Sequence, residues 1–338
     1  MNKKVSLKDI AQKVGVSTAL VSYVLNDKRQ NRVSQGLAEK IKKTAAALHY
    51  HPNQIAKSLK TNKTNTIGLI VADISNPFSS QIARAIEDEA EKNDYTVILG
   101  SSGENAEKSA KLINIFLERQ VDGIIICPVE NTQTQVRYLQ KSTIPFVLLD
   151  RYFPEVKANH VSVNNFGAAY AAVDHLAKQG YRNIGMIAYK TSLVHLQERT
   201  RGYITAIRNN QLPFKKSRLK ELAMACEHSE VEKAIDRLLQ QPVDALFFTS
   251  NTLASCGIKY INRLRIQVPQ ELGIVSFDET EAADLFYAPL TYIKQPIEEM
   301  GKQSLHILLD KIAGKKKMVT SNIDGELIIQ RSSVNQKK

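Results

Sequence analysis

From Thr66 onward the chain repeats one pattern: a short, almost wholly apolar run, then a longer stretch whose apolar residues recur every three or four positions. The apolar runs are Thr66 to Ala72 (TIGLIVA), Thr96 to Gly100, Gly123 to Cys127, Phe146 to Leu149, Ile184 to Ala188, Ala245 to Thr249 and Leu272 to Ser276. Strands that are apolar throughout must be covered on both faces, as in a parallel sheet flanked by helices. The intervening stretches predict helices over about 78–93, 105–119, 134–140, 166–179, 197–209, 230–240 and 253–264, with a variable segment, LPFKKSRLKEL, between the fifth and sixth. Two consecutive α/β units imply two lobes, and a cleft between the carboxyl ends of their strands is the default ligand site. At 338 residues the chain also exceeds the size at which one core stops growing.

The first 60 residues are of another kind. They hold twelve Lys or Arg against three acids, a net +9 of the whole chain's +12. That density of charge on a small module suits a polyanion, and nucleic acid is the commonest one in a cell. Ser6 and Asp9 mark the start of a helix whose apolar stripe is Leu7, Ile10, Ala11 and Val14, and Gly15 ends it. A second helix follows Val16, with Ser17 as cap and Leu20, Val21, Val24 and Leu25 inward. A third runs from Ser34 to about Leu48. Two short helices about a glycine turn form a helix-turn-helix, which offers the first turn of its second helix to a DNA major groove. Between this head and the body, HPNQIAKSL (51–59) predicts a further short helix. Pro52 can start it, and Ile55 and Leu59 share a face. A helix of that length folds only against something else.

Cys127, Cys226 and Cys256 are widely spaced and lack metal-ligand spacing, so they read as reduced thiols, with Cys127 a core residue. The start, MNKKVSLKD, has charge but no apolar core of a signal peptide, and no window approaches a membrane span. The expectation is a cytoplasmic protein without a membrane partner. Its seven histidines form no HxxxH or HExxH set, and no nucleophile elbow, phosphate loop or dinucleotide fingerprint occurs. No enzyme activity, metal or cofactor is therefore expected. The loops at the strand ends carry Asp73, Asn76 and Phe78, then Asp150 and Arg151, Arg199, Asn251, Phe277 and Asp278. Such side chains can bind vicinal hydroxyls and cover a sugar face, although turn and capping roles compete for each one.

The segments VSLKDIAQKVGVSTALVSYVLN, LHYHPNQIAKSLKTNKTNTIGLIV, DISNPF, VDGIII, LLDRYF, HLAKQGYRNIGMI, RTRGY, VPQELGIVSFDE, APLTYIKQPIEEMG and QRSS run in order over nearly the whole chain. In this they resemble the lactose repressor, or LacI/GalR, family of bacterial transcription regulators. The resemblance implies a helix-turn-helix head (1–50), a hinge helix and linker (51–65), and a two-lobed body like periplasmic sugar-binding proteins. The first lobe would span 66–161 plus 293–325, and the second 162–292. It implies a homodimer on a pseudo-palindromic double-stranded DNA operator, nucleoid-associated when bound. A small effector (sugar, sugar acid or sugar phosphate) would control it. Carried over by position, Thr18 and Ala19 face base edges, Ser17 and Ser22 contact phosphate or cap, and Asn26 and Arg32 lie near the backbone. Asn53 and Ala56 are minor-groove contacts of the hinge, and Leu59 wedges between base pairs. Asp73, Asn76, Phe78, Arg199, Asn251, Phe277 and Asp278 line the effector cleft.

Three positions depart from the family's pattern. Tyr23 stands where an arginine is usual on the recognition helix, so the commonest guanine contact is absent. Thr252 and Asn164 each stand where an aspartate is usual, which eases entry of an acidic ligand. A soluble sugar-binding protein, or a sugar-acting enzyme, without a DNA role is the alternative reading. Residues 1–60 and the missing acid–base pair argue against it.

Overall fold

The computed structural model describes residues 5–25, 33–50, 63–279 and 285–335. Contacts divide the chain into two units, Met1–Thr64 and Asn65–Lys338. In the first, α1 (Leu7–Val14), α2 (Thr18–Leu25) and α3 (Gln35–Ala47) enclose a small core of Ile10, Ala11, Val14, Val21, Val24, Ile41 and Ala45. Asp9 anchors the start of α1, its carboxylate accepting from the Ser6 amide at 2.8 Å and the Ser6 hydroxyl at 2.7 Å. Gly15 ends α1 with φ +81°, and its amide donates to the Ala11 carbonyl at 2.9 Å. That left-handed turn costs least without a Cβ, and it is what reverses the chain into α2.

The second unit holds two six-stranded sheets. Its strands are β1 (Thr66–Val71), β2 (Thr96–Ser101), β3 (Gly123–Ile126), β4 (Phe146–Leu149), β5 (His160–Val163), β6 (Ile184–Tyr189), β7 (Leu219–Leu222), β8 (Ala245–Phe248), β9 (Gly273–Phe277), β10 (Thr291–Lys294), β11 (Thr320–Ile323) and β12 (Glu326–Ile328). The first sheet is ordered β11-β5-β4-β3-β1-β2 and is parallel throughout. The second is ordered β12-β10-β9-β8-β6-β7, and only β12 runs antiparallel. The helices α4 (Pro77–Lys92), α5 (Ala106–Glu118), α6 (Gln133–Lys141), α7 (Asn165–Lys178), α8 (Val194–Asn209), α9 (His228–Leu239), α10 (Asn251–Arg263) and α11 (Ile297–Ile312) cover the sheets.

Alternation along each strand serves both faces. Ile67, Leu69 and Val71 of β1 pack with Ile82 and Ile86 of α4 and Met300, Leu305 and Leu308 of α11. Ile70 points the other way, to Ile113 and Phe116 of α5. This is why β1 reads as a continuous apolar run. In the second sheet Met186, Phe247, Val275 and Phe277 face α7 and α8, while Ile187, Leu246, Phe248 and Ile274 face α9 and α10. Helices α7 and α8 approach closely at Gly202, where a Cβ would lie 2.5 Å from the Phe166 carbonyl oxygen.

The chain passes between the sheets three times: after β5, after β10, and between β11 and β12. These crossings correct the boundaries expected from sequence. The expected junction 161/162 falls inside β5, whose pairing with β11 holds it in the first sheet through Val163. Likewise Ile293 and Lys294 stay with the second sheet through their pairing with β12. β5, β7, β10, β11 and β12 are not among the strands expected from sequence, and α8 starts at Val194 rather than 197, so Arg199 sits in its second turn.

Candidate functional site

Each unit offers one candidate surface. In the head, the spacing of Val21 and Val24 turns the opposite side of α2 outward, leaving Ser17, Thr18 and Ala19 exposed at its amino end. The Ser17 hydroxyl accepts from the Leu20 amide at 3.2 Å, so it caps the helix. Ser22 and Tyr23 are half-buried. Lys8, Lys13, Lys40, Lys42 and Lys43 are exposed. An exposed helix amino terminus on a module this rich in lysine is suited to anionic groups such as phosphate. Asn26, Arg32, Asn53, Ala56 and Leu59 lie outside the described residues.

In the body, the expected cleft residues gather at the carboxyl ends of the strands, but in two different states. Asp73 and Asn76 order their own loop. The Asp73 carboxylate accepts from the Ser75 amide at 3.0 Å and the Ser75 hydroxyl at 2.7 Å. Asn76 caps α4 by accepting from the Phe78 amide at 3.0 Å, and its same oxygen accepts from Asn251 Nδ2 of the second lobe at 3.0 Å. Phe78 is half-buried against the core beside α4. The second group is buried. Arg199, 3% exposed, donates from Nε to Asn165 Oδ1 at 2.8 Å and from Nη1 to the Thr249 carbonyl at 2.7 Å. Its guanidinium lies 3.4 Å from the Phe277 ring centroid, and Asp278 is 4.0 Å from Nη1. Phe277 is fully buried beneath that guanidinium, at the end of β9 rather than in a loop. Asp278 also accepts from Gln295.

Sequence reading underrated the rest of this cluster. Arg151 makes a two-pronged pair with Glu104, at 2.8 and 2.7 Å, and stands 3.6 Å from Asp150. Burial pushes the Asp150 carboxyl up from its ordinary value, against the pull of Arg151 and Arg199. Burial, reinforced by the charges of Arg151 and Arg199, holds His195 well below the ordinary histidine range, so its ring is neutral. Burial likewise draws the Arg199 guanidinium down, opposed by Asp278 and Asp150. Cys127, whose sulfur is 4.0 Å from Asp150, is an inert thiol pushed up by burial. Four polar atoms here, Asp150 Oδ1, Arg151 Nε, His195 Nδ1 and Gln295 Oε1, are buried without a hydrogen-bond partner among the described residues. Each such group costs on the order of 1–3 kcal/mol until something meets it. Two acceptors, one donor and one tautomeric nitrogen match a ligand rich in hydroxyl groups.

The charges here do not leave a cationic surplus. Arg151 and Arg199 face Glu104, Asp150 and Asp278. The substitutions expected to favour an acidic ligand are also otherwise engaged. Asn164 accepts from the Gly167 amide at 3.0 Å and donates to Asp324 at 2.8 Å, at the crossings between lobes. Thr252 turns its hydroxyl to Asn251 at 3.3 Å. Among the described residues no cluster of His, Cys, Asp or Glu could hold a metal, and no helix is long and apolar enough to cross a membrane.

Comparison with known proteins places this geometry. Residues 6–53 match the family model of bacterial regulatory proteins, lacI family, and residues 173–334 match that of the periplasmic binding protein-like domain. The HTH-type transcriptional repressor CytR of Escherichia coli K12 is 30% identical over 331 residues, covering 97% of this chain and 96% of CytR. The ribose operon repressor of Haemophilus influenzae is 31% identical over 310 residues, covering 91% of this chain and 92% of that one. Among solved structures, the lac repressor dimer bound to operator and the anti-inducer ONPF aligns with a TM-score of 0.86 at 22% identity, over 98% of this chain and all of that one. This last likeness is one of fold.

Proposed function

The chain belongs to the lacI family of bacterial regulatory proteins, and on that premise we propose that it is a repressor whose hold on its operator is set by a neutral, hydroxyl-rich sugar bound between the two lobes. Family membership makes it a sequence-specific DNA-binding transcription regulator rather than an enzyme. The observation that carries the effector reading is the buried cluster of Arg199, Asp150, Arg151, His195 and Gln295. It combines unmet hydrogen-bonding groups with balanced charge. A neutral sugar satisfies these atoms without adding an uncompensated charge to a buried site. The curated relatives include a ribose operon repressor, which is compatible with that class.

On the DNA side, two copies would set their second helices in successive major grooves of a pseudo-palindromic operator. Thr18 and Ala19 would face base edges, Ser17 and Ser22 phosphates, and Tyr23 would replace an arginine contact with an aromatic one. Asn26 and Arg32 would approach the backbone, and Asn53, Ala56 and Leu59 the central minor groove. Effector binding would change how the first lobes of the dimer are spaced and thereby the stability of the paired hinge helices. That is a coupling between two sites through one two-state element. We favour release of the operator by the sugar.

The test is isothermal calorimetry of the full-length protein with matched sugars: D-ribose and D-glucose against D-gluconate and D-glucose 6-phosphate. Binding of neutral members above the acidic and phosphorylated ones supports the reading. Preference for the charged members would sink it. For the hinge, Leu59→Ala should weaken operator binding while leaving sugar binding intact.

A further inference from the structure

Away from the three chain crossings, the two lobes are tied by side chains, and one tie centres on Glu130. This residue lies in the loop after β3, in the first lobe. Its Oε1 accepts three hydrogen bonds from the second lobe: from the Thr191 hydroxyl at 2.9 Å, the Ser192 hydroxyl at 2.7 Å and the Ser192 amide at 2.5 Å. The donors are held ready. Thr191 Oγ1 also accepts from the Leu193 amide at 3.1 Å, and Gln197 grips the Thr191 carbonyl at 3.1 Å. Thr191 and Ser192 lead directly into α8, the helix that carries His195 and Arg199.

Position decides what this contact can do. Ser192 is exposed and Glu130 half-buried, so the bonds sit at the solvent-facing rim. The second tie, Asn251 to Asn76, is covered, with Asn251 only 3% exposed. An ionised acceptor with three donors is the stronger fastening, because charge-assisted bonds exceed neutral ones. It is also the one that solvent can reach and undo.

We propose that Glu130 is a latch that holds the lobes together across the rim of the cleft before any effector arrives, and so governs how fast effector enters and leaves. The latch rests on reading the cleft as the effector site, but its mechanical part is independent of any ligand. Entry to a closed site waits on opening, as with other lids. A chain whose lobes are already tied also spends less ligand affinity on closure.

The test is hydrogen exchange by mass spectrometry on the full-length, ligand-free protein, comparing the parent with Glu130→Ala and Glu130→Gln. The Ser192 amide loses its acceptor in Glu130→Ala and should exchange faster for that reason alone. The informative segments are 73–78 and 249–251, which make no bond to Glu130. If Glu130 holds the lobes together, both exchange about tenfold faster or more in Glu130→Ala, as befits removal of a charged acceptor. Glu130→Gln, which keeps an oxygen but not the charge, falls between. Faster exchange confined to 191–193, or none at all, overturns the latch. Should Glu130→Ala fail to unfold cooperatively, Glu130→Gln decides by the same segments. Because no effector is present, a negative result here leaves the effector reading untouched, and the calorimetry of sugars leaves the latch untouched.

Discussion

Replacing Arg199 with Met should lower the unfolding temperature of the body by about 6–20 °C. The side chain is 3% exposed, and Met preserves much of its length and none of its hydrogen bonds. Its loss leaves Asn165 Oδ1 and the Thr249 carbonyl without their donor, at 2.8 and 2.7 Å in the parent, and removes the cation that faces Asp278 at 4.0 Å. The bonds and the ion pair share one group and cannot be summed separately. Breaking a buried pair by removing one member costs about 3–5 kcal/mol in comparable cases. At roughly 2–4 °C per kcal/mol for a unit of this size, the quoted range follows. Arg199→Lys keeps a charge but loses the fork and the stacking on Phe277, and should lose about 1.5–3 kcal/mol. The assay is differential scanning calorimetry of the full chain, following the transition of the body. Arg199→Met melting with the parent, or Arg199→Lys losing as much as Arg199→Met, would refute this account of the buried cluster.

Other expectations are shorter. The neutral, buried His195 cannot take up the proton that an unfolded histidine gains below about pH 6.5, so it withdraws stability as pH falls, by roughly 1.4 kcal/mol per pH unit. His195→Gln should flatten the decline of unfolding temperature between pH 7.5 and 5.5, and an unchanged slope would refute the assignment. Burial holds His160 and His175 below the ordinary range too, and their share of the slope should survive in that variant. Gly202→Ala sets a Cβ 2.5 Å from the Phe166 carbonyl and should destabilise the body by about 1–3 kcal/mol by forcing α7 and α8 apart, measurable by urea unfolding. Thr18→Ala is expected to weaken specific operator binding by about 1–3 kcal/mol with no change in the melting of the body, read by fluorescence anisotropy at fixed salt.

Most of the strands read from sequence have two buried faces, the edge strand β2 being an exception carried by its apolar run Val97 to Leu99. β1, β3 and β8 announce themselves because both alternating sets are apolar. β7, with Lys220 and Glu221 at the sheet edge, and β5, with Ser162 between two valines, do not, since solvent or a short partner strand relaxes the pattern. The start of α8 was missed for a related reason: its cap position is the buried Leu193, with no capping side chain. In the cleft, Arg199, Asn251 and Asp278 are legible from their place at the strand ends as well as by resemblance. The partners that give them meaning come from far along the chain. Glu104 meets Arg151 across 47 positions, and Glu130 meets Ser192 across 62. No local pattern encodes such pairs. Asp150 and Asp278 adopt left-handed backbone, with φ of +65° and +71°, a conformation that aspartate tolerates better than most residues and that follows strands β4 and β9 directly. Aspartate at a strand end was legible as a turn. Its burial beside an arginine was not.

The central claim is that one chain joins an operator-reading head to a sugar-sensing body, and binding to DNA with and without sugar tests it most directly. Full-length protein would be titrated, at stated salt, against the DNA immediately upstream of its own and neighbouring genes, alone and with the neutral, acidic and phosphorylated sugars. The account predicts a specific, salt-sensitive complex that a neutral sugar dissolves. A folded protein that forms no specific complex on any of these DNAs, or a complex that responds only to the charged sugars, would contradict it.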